Sequence, residues 1–208
     1  MSELGRVGIL ISGRGSNMVS LVEGMRAGEI RAEPAVVISN EPAAAGLQKA
    51  AEFGVPTEVI SHKKIKPRKE HERHVIEALH KHRADLVCLA GYMRLLSPLM
   101  VQEFRNRIFN IHPSLLPAFP GLDVQQKALD YGVKFSGCTV HIVDEECDHG
   151  PIIRQAAVPI LEGDTADSLA ARILEQEHRI YKEAVALYFE GRLRVEGRVV
   201  HIDEARPE

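Results

Sequence analysis

Apolar runs and amphipathic stretches alternate along the chain from its first residues. Val7-Gly8-Ile9-Leu10-Ile11 reads as a buried first strand within Arg6–Ser12. After Gly13-Arg14-Gly15-Ser16-Asn17, the apolar residues Met18, Leu21, Val22 and Met25 recur at helical spacing. Ala35–Ser39 reads as a second strand, residues 43–53 as a helix, and Thr57–Ile60 as a short third strand. A basic loop, His62–Arg68, leads into a helix over about 69–82 that carries Val75, Ile76 and Leu79 on one face. Asp85–Ala90 is the next strand, with Gly91–Leu96 as the loop at its carboxyl end. Strands alternating with helices at this spacing predict an α/β fold, a doubly wound and mostly parallel sheet.

The rhythm changes after Arg107-Ile108-Phe109, a short strand running into Asn110-Ile111-His112-Pro113-Ser114-Leu115-Leu116-Pro117. Pro113 and Pro117 forbid continuation, so Asn110 and His112 are expected where the strand opens into a loop. Residues two apart on extended backbone project to one side. Val124–Tyr131 reads as a helix and Phe135–Val143 as a strand. The acidic loop 144–150 and a strand over Ile152–Ile160 follow. So short a connection makes these two strands an antiparallel pair at the sheet edge. Asp164-Thr165 caps a long helix carrying Leu169, Ile173, Ile180, Val185 and Leu187. Arg192–Val195 and Arg198–Ile202 form a hairpin turned by Glu196-Gly197, and the last six residues read as a loose tail.

Composition narrows the class. The 208 residues are 45% hydrophobic and 26% charged, which predicts one globular domain with ample chain for a core. A net charge of -3 argues against a nucleic-acid surface. No apolar run approaches the roughly 18 residues of a membrane span. Cys88, Cys138 and Cys147 are odd in number and lack a C-x-x-C, so reduced thiols and a cytoplasmic location are expected.

The candidate chemistry lies at the ends of strands, where open α/β sheets bind their ligands. Gly13–Asn17 joins a strand to a helix N-terminus, which offers free backbone N–H groups and a favourable dipole to an anion such as phosphate. Asn110 supplies an amide, and His112 an imidazole that changes charge near neutral pH. Glu77…His80 and Glu175…His178 both have Glu-x-x-His spacing, but di-metal carboxylate sites need four packed helices, so no metal is expected. His71, His74, His80 and His82, set among Lys, Arg and Glu, read as a solvated face. Ser114 lacks a G-x-S-x-G elbow and reads as a loop hydrogen-bonder. An acidic neighbourhood should raise the thiol pKa of Cys147 and leave it inert.

The octapeptide from Asn110 to Pro117, Leu89–Arg94 before it and Asp148-His149-Gly150-Pro151 after it resemble the folate-dependent formyltransferases, over about Val7 to Leu193. Within them the resemblance is to the branch that formylates glycinamide ribonucleotide in purine biosynthesis. It implies a Rossmann-like formyltransferase fold with antiparallel edge strands and 10-formyltetrahydrofolate as co-substrate. Asn110, His112 and Asp148 would be catalytic, and Gly15, Ser16, Asn17 and Glu177 would bind the ribonucleotide. Arg68, Met93, Arg94, Leu95, Leu96, Asn110, Asp144, Glu145, Glu146, Cys147 and Asp148 would bind the folate. A ribonucleotide-binding half over about 1–105 and a catalytic half over 106–195 follow, in a monomer or homodimer without nucleic acid or membrane.

The chain departs from the pattern at His149, where the family usually has a small residue; as a cation it would partly offset Asp148. Two sister activities share much of the motif. Methionyl-tRNA formyltransferases carry a further C-terminal domain, for which no room is expected here. Formyltetrahydrofolate hydrolases carry an N-terminal regulatory domain, whereas this chain opens on its first strand. A nucleotide-phosphate-binding regulator would explain Gly13–Asn17 and leave Asn110, His112 and Asp148 unexplained.

Overall fold

The computed structural model describes residues 4–204, so residues 205–208 of the expected tail lie outside it. The chain forms two compact units, one up to Asn110 and one from Ile111. The first comprises β1 (Gly5–Ile11), α1 (Ser16–Arg26), β2 (Ala32–Ser39), α2 (Ala45–Glu52), β3 (Thr57–Val59), α3 (Arg68–Lys81), β4 (Leu86–Leu89), α4 (Pro98–Glu103) and the start of β5 (Ile108–His112). Its strands lie in the order β3-β2-β1-β4-β5, and every ladder is parallel.

Val7, Ile9, Leu10, Ile11, Val36, Val37, Ile38, Leu86, Val87 and Cys88 are all buried. Such continuous apolar runs, without alternation, are what a parallel sheet covered on both faces requires. Met18, Leu21, Val22 and Met25 of α1 are buried as the helical spacing predicts. Gly8 has a packing reason: a Cβ there would lie 2.4 Å from Leu79 Cδ2, so its absence lets α3 seat directly on β1.

Two expectations change here. α4 was not legible, because six residues carry too little periodicity; Pro98 at its first turn suits a helix start. His71 does not belong to a solvated face. It is 1% exposed, shares the apolar stripe of Val75 and Leu79, and donates Nε2–H to the carbonyl of Ile60 at 2.8 Å.

The second unit holds the end of β5, then α5 (Val124–Tyr131), β6 (Phe135–Ile142), β7 (Ile152–Pro159), α6 (Ala166–Phe189), β8 (Leu193–Glu196) and β9 (Val199–Ile202). Its strand order is β5-β6-β7-β9-β8. β6 and β7 pair antiparallel, as the short acidic connection requires, but they are not the edge. The terminal hairpin joins β7 through Ile152↔Val199 and leaves β8 outermost. α6 buries Leu169, Ile173, Ile180, Tyr181 and Val185. Its start is a capping box in which Thr165 accepts from the Ser168 backbone N–H, and Ser168 accepts from that of Thr165. Among the described residues no helix is long and apolar enough to cross a membrane.

Candidate active site

In the first unit the strand order reverses at β1, whose neighbours are β2 on one side and β4 on the other. At such a switch point the loops leaving the carboxyl ends diverge and open a crevice for ligand. The two loops that flank it, Gly13–Asn17 and Gly91–Leu96, are both among the sequence candidates. They are tied together: Ser12 donates its backbone N–H to Gly91 O at 3.0 Å, and Ser12 Oγ accepts from Met93 N at 2.8 Å. Ser12 was not singled out in the sequence. The segment it anchors presents Met93 and Leu95 at 65% and 61% exposure, an apolar surface held on fixed backbone.

Gly15 caps α1 in the left-handed region, at φ 70°. A Cβ there would also lie 2.9 Å from Gly46 Cα. Only glycine satisfies both demands, so Gly15 cannot be substituted without disturbing the loop itself. Ser16 and Asn17 follow as the first helical residues, where backbone N–H groups lack helical acceptors. Arg68 opens α3, and Arg94 follows Met93 in the loop after β4.

Asn110 and His112 lie within β5 itself, where Asn110 pairs with Leu89. The strand thus runs further than its apolar run indicated and ends against Pro113. In the second unit His112 is 5% exposed. Its Nδ1 faces Asp148 Oδ2 at 3.4 Å, and its Nε2–H donates to the carbonyl of Phe119 at 3.0 Å. Both neighbours are acceptors, so the arrangement suits a ring with a proton on each nitrogen. Ser114 Oγ donates to Ala118 O at 2.6 Å and to Phe119 O at 3.1 Å, holding the turn that carries His112's acceptor. Its expected role as a loop hydrogen-bonder agrees with this.

Asp148 adopts φ 52° and accepts the Gly121 backbone N–H at 2.9 Å. Its side chain is only 11% exposed, so it is no surface turn aspartate. Cys147 next to it is exposed, and its thiol is pushed up, first by desolvation and then by the Asp148 charge. His149 turns away from Asp148. Its Nδ1–H donates to Asp144 Oδ2 at 2.7 Å, its Nε2 accepts from Arg198 at 2.8 Å, and its carbonyl accepts from the same guanidinium at 2.7 Å. The expected offset of Asp148 by a His149 cation therefore has no support in this geometry. Asp144 takes that imidazole while Glu145 and Glu146 stay exposed. Glu177 lies mid-way along α6 at 7% exposure.

One neighbour of Asp148 escaped the sequence reading. His141 is 2% exposed and places Nε2 3.9 Å from Asp148 Oδ1. Its only signal in sequence was a histidine in the otherwise apolar run Val140–Val143. Its Nδ1–H donates to Ile142 O at 3.0 Å, and burial pushes its pKa below the ordinary histidine value despite Asp148. Burial likewise lowers His71. In the unfolded chain both titrate near about 6.5. Folding with depressed pKa values yields stability that is full above that point and lost as pH falls through the folded values. Urea unfolding should therefore show stability declining below about pH 6.5. A flat profile from pH 8 to about 5 would mean that both rings charge without cost in the fold.

Among the described residues, no group of three or more His, Cys, Asp or Glu is arranged to hold a metal ion. His80 of the Glu77…His80 pair instead contacts Glu103, at 2.7 Å.

An open α/β sheet with a glycine-rich turn at its switch point places the chain in the class of folds that bind their ligands at the carboxyl ends of parallel strands. Residues 5–185 match the formyl transferase family model, and the chain belongs to that family. It is 50% identical over 188 residues to the trifunctional purine biosynthetic protein adenosine-3 of Drosophila melanogaster, covering 89% of this chain and 14% of that protein. To the phosphoribosylglycinamide formyltransferase of Escherichia coli it is 37% identical over 198 residues, covering 95% of this chain and 93% of the other. The crystal structure of glycinamide ribonucleotide transformylase 1 from Symbiobacterium toebii superposes with a TM-score of 0.96 at 50% identity, over 98% of this chain and 96% of that one. The chain thus spans only 14% of its insect relative's length and nearly all of its bacterial relative's.

Proposed function

We propose that this chain transfers the formyl group of 10-formyltetrahydrofolate to the primary amine of glycinamide ribonucleotide, in purine biosynthesis. The observation that carries the chemistry is the buried His112–Asp148 pair at 3.4 Å, two residues along β5 from Asn110. The amine nitrogen attacks the formyl carbon, and the carbonyl oxygen takes up negative charge. The Asn110 amide and the charge of the His112 imidazolium stabilise that oxygen. Asp148, whose Oδ2 lies 3.4 Å from His112 Nδ1, orients the ring and accepts, through water, the proton that the attacking nitrogen loses. Collapse of the intermediate breaks the bond from the formyl carbon to N10 of the folate, which takes a proton. No covalent enzyme intermediate is required, because holding amine and formyl group together removes most of the entropic barrier.

In this reading the residues up to about 105 serve chiefly the ribonucleotide, and those from about 106 to 195 the catalysis. Gly15, Ser16 and Asn17 hold the phosphate, and Glu177 meets the sugar or glycinamide end. Arg68, Met93–Leu96 and the acidic loop Asp144–Asp148 receive the folate. The decisive assay mixes the purified chain with both substrates and follows formyl glycinamide ribonucleotide and tetrahydrofolate together. Release of formate, with no formylated amine, would replace transfer by hydrolysis.

The phosphate assignment has its own test at Ser16. Asp at the first helical position complements the helix dipole, so Ser16→Asp should leave stability equal or slightly higher, by about 0.5 kcal/mol. The same carboxylate would repel a dianionic phosphate and raise the ribonucleotide KM about tenfold or more, with the folate KM little changed. A variant with unaltered ribonucleotide KM would remove the phosphate from this turn.

A further inference from the structure

Glu72 is 4% exposed, has no part in the chemistry above, and yet collects three donors. Its Oε1 accepts from Ser97 N at 2.8 Å and from Arg68 Nε at 3.1 Å, and its Oε2 accepts from Ser97 Oγ. Ser97 stands at the start of α4 but makes no side-chain cap of that helix, because its hydroxyl is spent on Glu72. A buried carboxylate is poor evidence for stability, since desolvation offsets much of what its partners return. Its placement invites a functional explanation.

The two partners belong to different elements of the first unit, Arg68 to the start of α3 and Ser97 to the start of α4. Ser97 closes the segment that Ser12 anchors at its other end, the segment that exposes Met93 and Leu95. Arg68 opens α3 with its side chain 42% exposed. A guanidinium is planar, so fixing the direction of Nε–H fixes the plane and aim of the fork formed by its two terminal nitrogens. That fork matches a carboxylate bidentately. One buried acid therefore holds both a cationic fork and the end of the segment that exposes an apolar surface, two groups that suit a ligand with a flat apolar body and a terminal carboxylate.

We propose that Glu72 is a positioning residue that aims the Arg68 fork at the glutamate carboxylate of the folate substrate. The proposal rests on the formyl-transfer reading. Glu72→Gln separates its two jobs. The amide keeps an oxygen for Ser97 N–H and an NH2 that the Ser97 hydroxyl can accept, so the segment stays anchored. Only the charge that orients Arg68 is lost.

The test measures calorimetric affinity for tetrahydrofolate and for tetrahydropteroate, which lacks the glutamate. Glu72→Gln should weaken tetrahydrofolate about fivefold, the order of one misaligned charge-assisted hydrogen bond, and leave tetrahydropteroate unchanged. In an Arg68→Met background the same change should add nothing. Arg68→Lys, a surface change that keeps the charge but not the fork, should reproduce the selective loss even if Glu72→Gln folds poorly. Equal losses on both ligands, no loss on either, or a full Glu72→Gln effect without Arg68 would each overturn the proposal. Wild-type protein that binds tetrahydrofolate and shows this selectivity, but transfers no formyl group, would instead sink the formyl-transfer reading and leave Glu72's role standing.

Discussion

Asp148→Asn is expected to lower kcat about 100- to 10,000-fold, the range for losing a positioned acid–base partner, while the protein melts nearly as the wild type does. The two halves of this expectation come from different observations. Asn is among the few residues that accept φ near 52° readily, and its side-chain oxygen can still take the Gly121 N–H. The stability loss should therefore stay within about 1 kcal/mol, although the side chain is largely buried. What the amide removes is the negative charge 3.4 Å from His112, on a side chain only 11% exposed. Asp148→Ala is a useful companion, because it also strips Gly121 of its acceptor and should lose stability as well as rate. If Asp148→Asn melts normally and keeps more than about a tenth of kcat, far outside the range for an acid–base partner, Asp148 is only a turn residue. The proton path above would then be wrong.

Asn110→Asp should be as damaging, and more so than Asn110→Ala. The acid has almost the shape of the amide, so a purely structural role would leave it the milder change. A donor aimed at a developing oxyanion predicts the opposite order, because Asp places an anion where negative charge must grow. Loss of one oxyanion donor costs about 100- to 1,000-fold in kcat, and the added repulsion should push Asn110→Asp below Asn110→Ala. KM values for both substrates should move far less than kcat, since the interaction strengthens only in the transition state. If Asn110→Asp is the more active variant, the amide serves the strand and not the reaction.

Much of this molecule was legible before any coordinate. The continuous apolar runs of β1, β2 and β4, the helical stripe of α1 and the Thr165 start of α6 are local signals, written in residues that contact one another along the chain. The parallel first unit follows from their alternation, since a strand–helix–strand crossover leaves few other topologies. Asn110 and His112 were legible too, as polar residues closing an apolar strand before a proline. Asp148 was read only through its resemblance to the family, because an aspartate in an acidic loop looks like any surface turn.

What the tertiary structure decided are facts that depend on residues distant in sequence. The Asp148 carboxylate meets the His112 ring inside the second unit, and His141 becomes its buried neighbour rather than one more strand residue. His149, in a sensitive place by position, is taken up by Asp144 and Arg198. β7 lost its edge because a hairpin more than thirty residues later supplied a further strand. His71 and Glu72, in a stretch that reads as charged surface, are buried because α3 turns them toward Ile60 and Ser97. Periodicity states which face of an element is apolar. It does not state which polar group that face will carry inward to meet a distant partner, since that energy appears only when desolvation and the new hydrogen bond are made together.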